Sequence, residues 1–232
     1  MLNEFLGFIL MLTCFSGITI AFKFFGRAGL YAWMALSIII ANIQVTKIVE
    51  VFGLVTAMGN VIYGSTFLAT DILTERYGVR YARKAVLIGF FAMIFATLII
   101  QLTLFFEPHE SDTVSPSMAQ VFHFMPSAMV ASLTAYVISQ THDIWAFEMW
   151  RKRTRGRFLW LRNNASTMVS QLIDNVTFTL LFFVVFNPEF LETLGWGGIF
   201  DIFITSYAMK FVVAVFDTPF VYLNVRIKPD ED

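Results

Sequence analysis

The sequence predicts an all-α polytopic membrane protein of about six to seven transmembrane helices, forming a single domain over residues 1–232. Three observations predict it. Hydrophobic residues make up 57% of the chain and charged residues only 14%, against about 25% charged in soluble domains. Apolar runs of about 20 residues, the length that crosses a bilayer, recur along the whole chain. The cationic residues fall in alternate connections between those runs, a pattern that sets orientation in the membrane.

Seven runs meet the length requirement: 3–22, 28–46, 54–74, 85–106, 122–149, 163–186 and 198–223. The first begins MLNEFLGFIL, without a basic leader or a small-residue cleavage site, and is expected to be a retained span rather than a signal peptide. Before, between and after the seven runs the cations number 0, 2, 1, 4, 0, 6, 0 and 2, with Lys210 inside the seventh run. That order places the N-terminus outside and the C-terminus in the cytoplasm. The block RKRTRGR (151–157) then reads as a cytoplasmic anchor, with Trp145 and Trp150 in an interfacial belt. One stretch, KIVEVFGLVTAMGN (47–60), is apolar but carries Lys47, Glu50 and Gly53. It fits either a helical turn or a short hairpin near 47–58 on the outer face.

Several function classes are disfavoured. Cys14 is the single cysteine, and His109, His123 and His142 have no metal-ligand spacing, so no disulfide, metal or cofactor is expected. No phosphate-binding loop, dinucleotide fingerprint or nucleophile motif occurs, which argues against an enzyme. The net charge of −1 offers nothing to nucleic acid, and no such partner is expected.

The informative residues are polar ones within the apolar runs. An ionisable group at mid-membrane costs about 2.5–3.5 kcal/mol on insertion scales, so each needs a partner or a function. In the sixth run Asn163, Thr167, Ser170, Gln171, Asp174 and Thr177 recur at helical spacing, with Asn164 beside the first. They form a stripe about 120° wide, opposite Leu172, Ile173, Val176 and Leu180. Hydroxyls at such spacing often serve only packing, but this density of amides and acid points to a cavity wall. In the fifth run Ser132, Tyr136, Gln140, Asp143 and Phe147 share a second face, while His142 and Glu148 point elsewhere. For Glu148 an interfacial position is the competing explanation. Asp71 and Glu75 lie one turn apart near Arg76, Arg80 and Arg83, so an ion pair competes there with a ligand contact. Asn42, Gln44 and Lys47 close the second run. In the seventh, Ser206, Lys210 and Asp217 share a face. Lys210 and Asp217 are about 10 Å apart along the axis, so each needs a partner on another helix. Pro219 is expected to kink or end this helix. Inward amides, carboxylates and aromatic rings suit a planar polar solute.

Four stretches together resemble the queuosine precursor transporter family, also called the VUT family. They are ANIQVTKIVEVFGL (41–54), FLATDILTERYGVRYARKAV (67–86), SQTHDIWAFEMWRKRT (139–154) and LWLRNNASTMVSQLIDN (159–175), with DTPFVYL (217–223) as a fifth match. VIYGSTFL (61–68) departs from the pattern, with Tyr63–Gly64 where a Phe-Pro pair is expected. The resemblance implies uptake of 7-cyano- and/or 7-aminomethyl-7-deazaguanine across the inner membrane, for salvage into the tRNA nucleoside queuosine. A weaker similarity to the vitamin-binding membrane subunits of energy-coupling-factor systems keeps that role as an alternative, and a homo-oligomer is compatible with either. Chemistry then distributes the candidates. Asp174 or Asp143 suits the ring's donor edge, which a carboxylate can accept twice over. Asn163, Asn164, Gln171 or Gln140 suits the ring carbonyl and pyrrole N–H, Asn42 joins them as a further amide, and Lys210 balances the acids.

Overall fold

The computed structural model describes residues 2–45, 47–155 and 157–230, with the side chains of 48, 54, 55, 57, 159, 161–164 and 214 outside that description. In chain order the elements are α1 (Leu2–Gln44), β1 (Ile48–Val51), β2 (Leu54–Ala57), α2 (Asn60–Tyr77), α3 (Val79–Leu104), α4 (Ser115–Phe122), α5 (Met125–Arg153), α6 (Leu159–Thr179) and α7 (Pro188–Arg226). A π-helical stretch, Leu180–Phe186, extends α6.

The 43 residues of α1 are two passes, not one. At Gly26, φ 52° and ψ −131° break the helix, a conformation open to glycine alone. The arms 2–25 and 27–44 fold back on each other, so that Trp33 lies over Gly17. In the same way Gly195 divides α7, and the membrane-length part is 196–226. Five helical segments are long and apolar enough to cross a bilayer. The fold of α1 adds one pass, and α2 adds another: its 18 residues span about 27 Å. Counted in this way, seven helical segments among the described residues have about the length needed to cross, close to the six to seven expected. α2 is too polar to stand in lipid and is buried continuously from Val61 to Thr74. Gly64 permits this, because a Cβ there would collide with Val213 of α7. Phe91, Phe95, Leu98, Ile99 and Leu102 of α3, by contrast, are exposed, as a surface solvated by lipid requires.

The run placed at 54–74 is shortened at its start. Residues 48–57 form an antiparallel hairpin in which Ile48 pairs with Ala57 and Val51 with Leu54. Phe52 and Gly53 both have positive φ, as a two-residue type I′ turn demands. The hairpin was one of the two conformations open to 47–58, and it satisfies the backbone of a segment too short to cross as a helix. It is moored to the start of α1, where Asn3 Nδ2 donates to the Glu50 carbonyl at 2.8 Å and the Phe52 N–H donates to Glu4 Oε1 at 3.0 Å. A second boundary also moves. The cation-rich stretch 79–84 is the first turn of α3 rather than a loop, because the chain reverses at Gly78 alone. Pro219, expected to kink or end α7, does not end it, and α7 continues to Arg226 with helical backbone at 219.

The two ends of the bundle differ. At the hairpin end lie the N-terminus, β1–β2, the 105–114 connection and α4. Asp112 starts α4 by accepting from the Ser115 hydroxyl and from the Ser115 and Val114 N–H groups, and these bonds hold its carboxyl below the ordinary range. At the other, basic end Arg27 stacks over Tyr77 and Tyr81, Arg76 donates to the Val225 carbonyl at 2.9 Å, and Lys23 pairs with Asp230. All cations except Lys47 and Lys210 lie on segments at this end.

Candidate functional site

Four helices, α2, α5, α6 and α7, turn polar stripes toward one another and form two decks. On α6, Thr167 and Asp174 are seven residues apart, as are Lys210 and Asp217 on α7, so the decks are separated by about 10 Å.

The upper deck, toward the hairpin end, centres on Asp174. Its Oδ2 accepts from Lys210 Nζ at 2.6 Å. Its Oδ1 accepts from Tyr63 Oη and from Ser139 Oγ at 3.2 Å. Lys210 also lies over the Tyr63 ring, 5.2 Å from its centroid. Asp174 is 2% and Lys210 4% exposed. Two opposite charges held by four helices meet the condition under which buried charge is tolerated. Above them lies a small cavity of about 60 Å³, lined by Asn42, Asn60, Ser132, Tyr63, Phe178, Asp174 and Lys210 among others. Its outer wall is Met58 and Gly59, where the hairpin joins α2. Asn42 is fixed by Ser132, whose hydroxyl donates to Oδ1 at 2.9 Å, and its amide donates to the Ile38 carbonyl at 3.1 Å.

A layer of amides and hydroxyls follows. Gln140 Nε2 donates to Thr66 at 3.4 Å, and Thr70 donates to Gln140 Oε1 at 3.4 Å. Gln171 sits beside Gly64, fully buried, and neither of its amide atoms has a hydrogen-bond partner. The lower deck holds Asp71, Asp143 and Asp217, all buried. Asp143, Asp217 and Glu75 are the charges that bear on Asp71. Asp143 faces Ser166, Thr167 and Ser170, yet neither carboxylate oxygen is in hydrogen-bonding geometry. Among the described residues Asp71 and Asp143 have no ion pair. Arg76, the sequence neighbour that competed for Asp71, turns instead to Val225 and the Phe22 ring.

The residues singled out from the sequence therefore separate. Asp174, Lys210 and Asn42 meet at the upper cavity. Gln140 and Gln171 lie below it, and Asp143 deeper still. The side chains of Asn163 and Asn164 lie outside the described residues. His142, off the Ser132–Phe147 face of α5, is half-buried, with its Nδ1 2.9 Å from Ser170 Oγ on α6. Glu148 pairs with Arg151 at 3.0 Å at the basic end, the interfacial position. Tyr63 was missed as a site residue. Its signal was present as Tyr63, Thr66 and Thr70 at helical spacing on α2, and as the motif departure at Tyr63–Gly64.

The comparisons agree with this architecture. Residues 57–224, which include the charged residues of both decks, match the family described as "Putative vitamin uptake transporter". The chain belongs to that family. A relative from Bacillus subtilis (strain 168), named "Probable queuosine precursor transporter", is 39% identical over 212 residues, covering 91% of this chain and 90% of the relative. No solved structure matches the chain. As a member of the vitamin uptake transporter family it is a multi-pass membrane protein, and its two polar decks lie in the helix core away from lipid.

Proposed function

We propose that this protein takes up queuosine precursors, 7-cyano- and/or 7-aminomethyl-7-deazaguanine, across the inner membrane. The observation that carries this reading is the Asp174–Lys210–Tyr63 cluster at the floor of a cavity with an aromatic wall, in a chain 39% identical to a relative named for that transport. A planar ring would lie between Tyr63 and Phe178. Lys210 has ammonium hydrogens beyond the one given to Asp174 and would donate to the ring carbonyl. A carboxylate has about four acceptor positions, and Asp174 uses three, so one remains for a ring N–H. Asn42 supplies an adjacent amide. In this reading Asp174 both contacts the ring and holds Lys210 in place.

The N-terminus and the hairpin face outward and the C-terminus lies in the cytoplasm. The gathering of cations at one end supports this orientation, and it makes the upper cavity the entry side. The test is a host unable to make queuosine precursors. Expressing the protein should restore queuosine in tRNA at low external precursor. Unmodified tRNA, with the protein present in the membrane, would refute the reading. The same assay in a strain lacking coupling ATPases separates a self-sufficient carrier from a subunit that needs an ATPase partner.

A further inference from the structure

The lower deck is not used by the upper-cavity site, and its chemistry is different. Asp71 and Asp143 are each 1% exposed and come from α2 and α5. Asp217 on α7 and Glu75 on α2, which have interactions of their own, deepen the negative field. Buried carboxyl groups at membrane depth need a counter-charge or a proton, and no cation is paired with Asp71 or Asp143 among the described residues. The second observation is independent of charge. Both amide atoms of Gln171 are buried without hydrogen-bond partners, and Asp71 Oδ2, both oxygens of Asp143 and Thr167 Oγ1 have none in good geometry, although the hydroxyls of Ser166, Thr167 and Ser170 lie near Asp143 and that of Thr167 near Asp71. Such groups are rare in folded proteins and mark strain, function or an absent ligand. They are mixed in kind, since carboxylates only accept while amide and hydroxyl also donate. A proton would satisfy one acceptor and leave the Gln171 N–H groups as they are. A polyatomic ligand with a cationic end satisfies both kinds. Among the described residues no group of acids is arranged for a metal ion. Gln140 and Gln171 lie between the two decks, so a solute moving from Asp174 toward the basic end would meet the lower deck next.

We propose that Asp71 and Asp143, with Thr167 and Gln171, form a second station that binds a primary ammonium group on the transported solute, and so favours amine-bearing 7-deazaguanines over neutral ones. The proposal rests on the transport reading above. An aminomethyl arm is protonated at neutral pH and gives three N–H donors to converging carboxylates, whereas a nitrile gives none.

The experiment compares uptake of 7-aminomethyl- and 7-cyano-7-deazaguanine, each labelled, and reads their ratio. Wild-type protein should favour the amine at least tenfold. Asp143→Asn and Asp71→Asn should each pull that ratio toward one, and Asp143→Glu, which keeps the charge, should hold it. Equal wild-type uptake of the two compounds overturns the proposal, and this needs no variant to fold. An unchanged ratio in an Asn variant present in the membrane overturns it too. Equal loss of both compounds, with loss of any dependence on a pH gradient, would assign the acids to proton transfer instead. Wild-type protein that carries neither compound refutes the transport reading itself, a result distinct from these.

Discussion

The upper and lower decks are built from the same four helices and hold carboxylates at similar burial, yet their polar groups end differently. Asp174 receives three donors and a full counter-charge. Asp143, two to three turns nearer the basic end, has only the hydroxyls of Ser166, Thr167 and Ser170 beside it, none in good hydrogen-bonding geometry. The difference lies in what stands opposite. α7 places Lys210 against Asp174 but Asp217 near Asp71. A satisfied cluster holds helices in register, whereas an unsatisfied one stays in a bundle only if something else meets it. The upper deck is thus satisfied by its own residues, and under the second-station proposal the lower deck is where a ligand would change the local energy most.

The largest expected effect tests which deck faces out. A cysteine introduced at Ser111 should react fully with an impermeant external reagent, and one at Thr154 should not. Cys14 is buried and gives little background. Equal labelling of both positions would remove the seven-pass orientation and the assignment of the upper cavity to the entry side.

Next comes the upper pair. Asp174→Asn leaves Lys210 buried without its counter-charge, which costs about 3–5 kcal/mol of stability, and uptake should fall by about 30- to 1,000-fold. Replacing the pair together, Asp174→Leu with Lys210→Met, should recover much of the melting temperature and none of the uptake. An abundant Asp174→Asn protein with normal melting and normal transport would mean that the pair neither shapes the floor nor reads the solute. Asp143 would then be the stronger candidate.

Tyr63→Phe removes one bond to a charged acceptor and keeps the ring. About 1.5–3 kcal/mol is at stake, so apparent affinity should weaken by about 10- to 150-fold with expression retained. Transport kinetics unchanged by this variant would limit Tyr63 to a packing role. Smallest of all is Glu148→Gln. Its pair with Arg151 is partly exposed at the basic end, and such pairs contribute about 0–1 kcal/mol. Uptake and its ratio between the two deazaguanines should stay within about twofold. A large change would extend the lower deck to the membrane face.

Much of this was legible from residue order. The stripe Thr167, Ser170, Gln171 and Asp174 is buried and its opposite face, Leu172, Val176 and Leu180, is exposed, because helical periodicity decides which residues share a face. The separate partners expected for Lys210 and Asp217 follow from the same geometry. The start of α2 was misplaced because apolar content alone does not distinguish strand from helix in a short run. The start of α3 was misplaced because cations in the first turn of a helix look like a loop when only hydropathy is weighed.

The sequence by itself determined that the chain lives in a bilayer, roughly where its passes lie, which end gathers the positive charge and which helix faces are polar. These are properties of composition and of a fixed helical repeat, and they need no knowledge of neighbours. Only the tertiary structure decided that Asp174 meets Lys210 and Tyr63 while Asp143 and Asp71 meet each other's charge. Such pairing depends on the rotation and depth at which separate helices dock, here set by the turn at Gly26, the close approach at Gly64 and the hairpin that delays α2 to Asn60. A shift of one residue turns a helix by about 100°, enough to exchange a satisfied carboxylate for an unsatisfied one.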